Sequence, residues 1–265
     1  NNGLITLYKN YIDFLTIVIT EDYDYFKSNQ HLKKKRLKLL DQSNTDSPYY
    51  LYSKAEINLQ WAFSRLKFNQ YLLAVYELIT AYKLLEDNQQ KFPEFTLNYK
   101  SLGVLHTILG AVPDEFHWLL NVAGLEGDVS LGFNELNIIL NDNKFKMYEN
   151  EVLFILSFLQ MNLGNNDSLC GKYLSRIGDQ YKNNILLAFS AAQLSTHLGN
   201  NDYCLEILKN KQNNSKIQFS YFDYLEGMSY LYKLDYTNAK KYFNSFLSNF
   251  NGKNHIKSAY HKLAW

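Results

Sequence analysis

The chain has 265 residues, a formal net charge of +1 and 16% aromatic residues, with 22 Tyr and 17 Phe. A net charge this close to zero gives no global electrostatic reason to expect binding to nucleic acid or to an anionic membrane. Two cysteines, Cys170 and Cys204, are too few for a disulfide framework or a zinc cage. The sequence also lacks an apolar run of about 18 residues, so it predicts no membrane span.

Two helices and a loop are predicted at the start of the chain. Apolar residues recur at helical spacing over residues 4–20, and residues 22–40 form a second helix that is acidic at its start and basic at its end. The basic run from Lys33 to Arg36, with Lys38, lies where the helix dipole favours cations. We interpret it as a solvated helix end, and a nucleic-acid or lipid patch is the alternative. Residues 1–48, ending in a loop at Pro48, are therefore predicted to be an N-terminal helical hairpin.

The next part of the chain contains one clear helical pair and one divergent segment. Residues 49–87 predict two helices with a turn near Asn69, and the second helix carries the small residues Ala74 and Ala81. Residues 98–141 show helical patterns that Gly110 and Pro113 interrupt, and Pro113 suits the first turn of a new helix. We assign residues 49–87 to one repeat and residues 98–141 to divergent repeats.

Residues 145–250 contain three copies of one pattern. The string Leu-Gly-Asn-Asn-Asp ends at Asp167 and again at Asp202, a step of 35 residues, and the same step then aligns residues 222–243. At one equivalent place the three copies hold small residues, namely Ser157, Ala192 and Gly227. At another they hold large residues, namely Tyr173, Leu208 and Phe243. Such a period is typical of arrays of helical hairpins. The small residues let antiparallel helices approach, and the large ones fill the space beside them.

The last stretch, residues 255–265, is predicted to begin a further repeat that is incomplete at Trp265. An array ending on an unpaired helix would leave an apolar face uncovered. We therefore expect that the natural protein continues beyond Trp265, or that another molecule covers this edge, with self-association through the helix as one form of cover. At the other end, the chain begins at Asn1 without a Met or an apolar leader, and we expect that an upstream segment was removed, with a cleaved signal peptide and an artificially shortened sequence as equal alternatives.

The repeat resembles the tetratricopeptide repeat family. The A-x-x-x-F spacing of its second helix appears as Ala239-x-x-x-Phe243, and the small-then-aromatic spacing of its first helix appears as Gly227-x-x-Tyr230, whereas the terminal Pro of the motif is missing. The resemblance implies an all-α fold, an α-α superhelix built as a right-handed solenoid of tetratricopeptide-like helical hairpins. It also implies that residues 1–265 form a single helical-repeat domain.

The middle of the chain narrows this resemblance. Residues 50–62, Gly103-Val-Leu-His106, Val112-Pro-Asp114 and Gly127-Asp128 look like a branch of tetratricopeptide proteins from Bacteroidetes-type bacteria. They are similar, more distantly, to a eukaryotic branch with an inner-membrane or lipid-droplet connection. The bacterial resemblance, with the missing Met, slightly favours an exported, periplasmic location over a cytoplasmic one.

Catalytic and metal-binding patterns are not visible in the sequence. His106 and His117 flank a predicted helix break, and His255 and His261 are six residues apart, which is not the i, i+4 placement that puts two ligands on one helix face. There is no Gly-x-Ser-x-Gly, phosphate-loop or dinucleotide motif. We expect no catalytic residue, no metal site, no cofactor and no enzymatic activity.

A binding groove is the remaining candidate site. In the family that the chain resembles, first helices line a concave face, with the residues three before and one after the small position directed toward it. Carried onto this chain, the groove residues are Phe154, Phe158, Phe189, Gln193, Tyr224 and Met228. Aromatic, Met and Gln side chains suit an extended peptide or an amphipathic helix. The alternative is that these side chains pack between successive first helices.

The expected function is a non-catalytic scaffold that binds a protein or peptide partner on its concave face. One alternative is an accessory module that binds a small or lipid-like ligand in an apolar cavity near residues 103–118. Another is a structural oligomerisation module that uses the uncovered C-terminal helix.

Overall fold

The computed structural model describes residues 3–113, 123–164, 166–212 and 217–264. Every regular element in these ranges is helical, and none of the described residues forms a strand, which confirms the all-α prediction. The α-helices are α1 (Gly3–Thr20), α2 (Tyr23–Leu40), α3 (Pro48–Lys67), α4 (Tyr71–Lys91), α5 (Asn98–Gly110), α6 (Val129–Asn141), α7 (Glu149–Leu159), α8 (Asp167–Ile177), α9 (Ile185–His197), α10 (Asn201–Asn210), α11 (Tyr221–Tyr232), α12 (Tyr236–Asn249) and α13 (Ile256–Leu263). A π-helical turn, Gln160–Gly164, follows α7, and 3-10 turns lie at Asn143–Tyr148 and Gly178–Lys182.

The chain packs as two compact units, which we call the N-terminal unit (Asn1–Lys146) and the C-terminal unit (Met147–Trp265). The N-terminal unit contains α1 to α6, in which α1 pairs with α2, α3 with α4 and α5 with α6. In the C-terminal unit, the pairs α7–α8, α9–α10 and α11–α12 correspond to the three copies of the repeat. That residues 1–265 form a single domain stays a prediction.

Helix starts follow the local sequence signals. Asp22 accepts a hydrogen bond from the Tyr25 backbone N–H at the start of α2, and Asp128 accepts one from Leu131 at the start of α6. Ser47 caps α3, and Pro48 fills the first helical position, where its missing N–H costs nothing. The Asn and Asp residues of the repeat turns serve the same purpose, because Asn166, Asn184, Asn200 and Asp235 cap the following helices.

Buried polar contacts link the first three helices of the N-terminal unit. The Trp61 side chain of α3 is 2% exposed, and its Nε1–H donates to Asn10 Oδ1 of α1 at 3.0 Å. The same oxygen accepts from Arg36 Nη1 of α2 at 2.9 Å, and Arg36 also pairs with Asp13. Because buried polar groups are costly unless they are paired, these bonds fix which helix faces meet.

The basic run of α2 is only partly solvated. Lys33 Nζ lies 2.7 Å from Glu77 Oε1 of α4, and that oxygen also accepts from Arg65 Nε of α3 at 2.8 Å. Glu77 is 3% exposed. The interpretation of this run as a solvated helix end therefore holds for Lys34, Lys35 and Lys38, which are exposed, and is wrong for Lys33 and Arg36, whose charges pair across helices.

Helices α5 and α6 approach at backbone distance. A Cβ atom on Gly132 would lie 2.5 Å from the Gly103 carbonyl oxygen and 2.6 Å from the Thr107 nitrogen. A Cβ atom on Gly103 would in turn meet the Gly132 carbonyl oxygen at 2.8 Å. Only glycine fits at these two places, because the obstructing atoms belong to the backbone. Beside this crossing, His106 Nδ1 of α5 bonds Glu135 Oε2 of α6 at 2.6 Å.

The small and large places of the repeat all lie in the interior of the C-terminal unit. Ser157, Ala192 and Gly227 are buried, as are their large counterparts Tyr173, Leu208 and Phe243. A Cβ atom on Gly227 would lie 2.8 Å from two ring carbons of Phe243. The third copy therefore combines the smallest residue at one place with a phenyl ring at the other.

Three hairpin turns share one backbone conformation. Asn69, Gly199 and Leu234 each occupy the left-handed region, with φ of 59°, 77° and 60°. Gly and Asn are the residues that adopt this region most readily, whereas a Leu there is strained. Leu234 is also 69% exposed, so packing within the described residues does not offset the strain.

Candidate binding groove

An open groove of about 620 Å³ lies in the C-terminal unit. It extends from the π-helical turn after α7, across the end of α9, to α11. Its lining residues are Met161, Asn162, Gln193, Thr196, His197, Gly199, Asn201, Tyr224, Leu225, Met228 and Tyr232. All three copies of the repeat therefore contribute to one surface.

Three of the six residues predicted for the groove line it, namely Gln193, Tyr224 and Met228. Gln193 and Met228 come one residue after the small position in their copies, and Tyr224 comes three residues before it. Tyr224 is 9% exposed, and its hydroxyl group bonds that of Ser258 in α13 at 2.8 Å. Burial raises the pKa of the Tyr224 phenol, so the phenol remains protonated at neutral pH.

The other three predicted residues, Phe154, Phe158 and Phe189, lie outside the lining set. Phe158 is 50% exposed, and Phe154 is half-buried. Phe189 packs on an aromatic cluster that precedes and begins α11, with its ring centroid 4.9 Å from that of Phe219 and 6.2 Å from that of Phe222. Of the aromatic row expected along the three first helices, Tyr224 of the third copy therefore lines the groove, whereas the phenylalanines of the first and second copies do not.

Sequence reasoning missed the lining residues one helical turn further along. Met161, Thr196 and His197 lie four or five residues after the small position of their copies, and Tyr232 lies five after Gly227. Residues at this spacing share a helix face with the residue at the position after the small one. Helical periodicity could therefore have identified these residues. They were missed because only two positions per copy were taken from the family.

The described residues that line the groove include no Asp, Glu, Lys or Arg. Its one imidazole belongs to His197, and His197 Nε2 lies 3.0 Å from Asp167 Oδ1. Amide groups from Asn162, Gln193 and Asn201 supply polar atoms, and the buried side-chain oxygen of Asn201 has no hydrogen-bond partner among the described residues. The groove is thus neutral, with apolar Met, Leu and Tyr surface beside amide donors and acceptors.

The remaining sequence-predicted candidates do not come together as a site in the described residues. No group of three or more His, Cys, Asp or Glu side chains there could hold a metal ion. His117 lies outside the described residues, as does the part of the expected ligand cavity at residues 114–118. The described helices also include none long and apolar enough to cross a membrane.

Comparison with known proteins finds a protein-family model that matches the chain. The family model described as Iml2/Tetratricopeptide repeat protein 39 matches residues 99–262, which is more than half of the chain. No curated protein and no solved structure matches the chain significantly.

Proposed function

The chain belongs to the Iml2/Tetratricopeptide repeat protein 39 family, and from that premise we propose that it is a non-catalytic scaffold whose groove holds a segment of a protein partner. Members of a tetratricopeptide-like family are expected to bind other proteins. The observation that carries the proposal for this chain is the neutral groove to which all three copies contribute.

The chemistry of the groove favours an uncharged peptide segment as its occupant. Met161, Met228 and Tyr232 provide adaptable or amphipathic apolar surface, which suits the side chains of an extended or helical segment. The amides of Gln193 and Asn201 offer donors and acceptors to a peptide backbone. A segment that carries charges into this groove would lose hydration without gaining an ion pair, so we expect such segments to bind weakly.

The proposal can be tested by capture with a groove variant and a matched control. The groove variant carries Gln193→Ala, Met228→Ala and Tyr232→Ala. The control carries the same three types of change at exposed positions outside the lining set, Met147→Ala, Gln218→Ala and Tyr236→Ala. Both should retain the native far-UV circular dichroism spectrum and melting temperature.

We expect a partner that the native chain and the control retain and that the groove variant loses. A synthetic peptide from that partner should then bind the native chain in fluorescence anisotropy, and the groove variant at least about tenfold more weakly, a difference of about 1.4 kcal/mol. Equal capture by all three proteins would show that the groove is not the binding surface.

We also propose a Bacteroidetes-type source. The support is the resemblance of residues 50–62 and of the Gly103 to His106 segment to that branch. A source gene from a Bacteroidetes genome would agree with this proposal, and a source gene from another lineage would contradict it.

A further inference from the structure

The solvent-facing side of α4 changes character halfway along the helix. In its first half this side carries large apolar side chains that are strongly exposed: Leu72 at 89%, Tyr76 at 67%, Tyr71 at 59%, Leu73 at 50% and Val75 at 49%. In the second half, the exposed residues on the same side are Lys83, Glu86, Asp87 and Gln90. The second half looks like an ordinary solvated helix face, and the first half does not.

The exposed apolar residues of α4 are separate from the residues that α4 contributes to the core. The opposite side of α4 already packs against α3 through Ala74, Leu78, Ala81 and Leu85, all of them buried. One helix therefore buries one apolar stripe and presents a second to solvent. Contiguous exposed apolar surface of this kind is uncommon on monomers and marks an interaction site.

We propose that this face, defined by Tyr71, Leu72, Leu73, Val75 and Tyr76, is a self-association surface on which α4 packs antiparallel against α4 of a second copy. Leu72, Val75 and Tyr76 of this face, together with the half-buried Ile79 beside it, have the same spacing in both chain directions about a point between residues 75 and 76. A two-fold axis through that point places Leu72 of one copy beside Ile79 of the other. An isologous dimer requires a patch that is complementary to itself in this way.

The charges of α4 permit a second copy as the occupant. Between Tyr71 and Thr80 the only charged residue of α4 is Glu77, which is buried on the inner side. Because the two-fold axis lies in the first half of the helix, Lys83 of each copy extends past the partner's helix start toward the neutral turn at Asn69 and Gln70. Neutral surface thus meets neutral surface, and the charged halves of the two helices do not face each other.

The size of the face predicts a weak dimer. Five large side chains with these exposed fractions offer on the order of 500 Å² per copy, or about 1,000 Å² for the pair. That area is near the lower limit for a specific interface. We therefore expect a dimer that dissociates in the micromolar range rather than an obligate one.

The first test is sedimentation velocity of the full chain over a concentration series. The native chain should shift from monomer to dimer across the micromolar range. Leu72→Glu should weaken dimerisation about tenfold or more, because it places a carboxylate on the apolar seam. The matched control is Ile138→Glu, which adds the same charge at an exposed apolar residue on α6, 47% exposed, and should dimerise like the native chain.

The geometry has its own test, which does not depend on loss of binding. An equimolar mixture of Leu72→Glu and Ile79→Lys chains should recover dimer, because the two-fold axis pairs these positions with opposite charges. Val75→Cys, next to the axis, should form a disulfide-linked dimer under mild oxidation, whereas Ile138→Cys should not. The natural Cys170 and Cys204 are buried and should not interfere.

A native chain that stays monomeric throughout the series would overturn the proposal. It would also be overturned by a dimer that Leu72→Glu leaves unchanged while circular dichroism shows a folded chain, or by mixed variants that fail to recover dimer.

Discussion

The close contact between Gly227 and Phe243 gives a direct test of how the repeat divides volume between its two helices. Gly227→Ala places a Cβ atom 2.8 Å from two ring carbons of Phe243, which is closer than a real Cβ contact. The second copy holds Ala192 and Leu208 at the equivalent places, and both are buried. The combination of Gly227→Ala with Phe243→Leu would therefore reproduce in the third copy a pairing that the chain already uses.

The expected magnitudes follow from two opposing effects. Overpacking of a filled core costs about 1–3 kcal/mol, whereas exchange of a helical Gly for Ala gains roughly 0.5–1 kcal/mol. The net loss for Gly227→Ala should be about 1 kcal/mol of unfolding free energy, because the ring can shift only partly. Phe243→Leu alone should also destabilise, since it leaves unfilled space beside Gly227. In the double variant the smaller Leu side chain makes room for the Cβ atom of the Ala, and this Cβ atom fills part of the space that the Phe ring leaves. The coupling energy between the two changes should therefore be about 1–2 kcal/mol.

The assay is urea unfolding followed by far-UV circular dichroism, with the two single variants and the double variant in one double-mutant cycle. The control is Gly171→Ala in α8 of the same unit, where a new Cβ atom meets nothing within 4 Å. The control should gain roughly 0.5–1 kcal/mol. If Gly227→Ala stabilised the protein as much as Gly171→Ala, or if the two single effects simply added, the volume argument would be refuted.

Four further measurements test other features. Leu234→Gly should raise the free energy of unfolding by about 1 kcal/mol, because it removes the cost of a left-handed Leu; no gain in urea unfolding would contradict this. Glu77→Leu should lower the unfolding free energy by about 3–5 kcal/mol, because it leaves the partly buried Lys33 and the buried Arg65 without their shared carboxylate; a change near zero would count against this pairing. Burial raises the pKa of Glu226, so the native state binds this proton more tightly than the unfolded state, and the charged form is penalised above that pKa. Glu226→Gln should therefore melt at a higher temperature than the native chain at pH 7, with the difference vanishing in acid below both pKa values; a difference independent of pH would exclude this cause. If residues 1–265 form a single domain, calorimetry should show one transition with equal calorimetric and van't Hoff enthalpies, and two resolved transitions would contradict that expectation.

The sequence was sufficient to predict the features that local spacing determines. The 35-residue step predicted that Ser157, Ala192 and Gly227 share an environment, and all three are buried. The helix starts also follow local signals, since Asn166 and Asn200 in the repeated turn string cap α8 and α10. The caps depend on neighbours within one helical turn, and the repeat depends on self-similarity along the chain, so both can be read without a tertiary structure.

Features that depend on distant residues were not predictable in this way. Phe189 occupies the same repeat position as Tyr224, yet it packs on Phe219, which precedes the next first helix and has no counterpart in the repeat pattern. Lys33 looked solvated because its partner, Glu77, is 44 residues away. Met161, at the far end of the groove, lies in a π-helical turn, and the two positions per copy taken from the family did not include it.

The glycine contact between α5 and α6 has a mechanical consequence. Most helix pairs meet through side chains, which can change rotamer and allow one helix to slide or roll slightly on the other. Gly103 and Gly132 contribute no side chains of their own and bring backbone atoms together, while Leu136, Thr107 and the His106–Glu135 bond flank the contact. We therefore expect α5 and α6 to move as one body, so that a displacement imposed on one helix reaches the other.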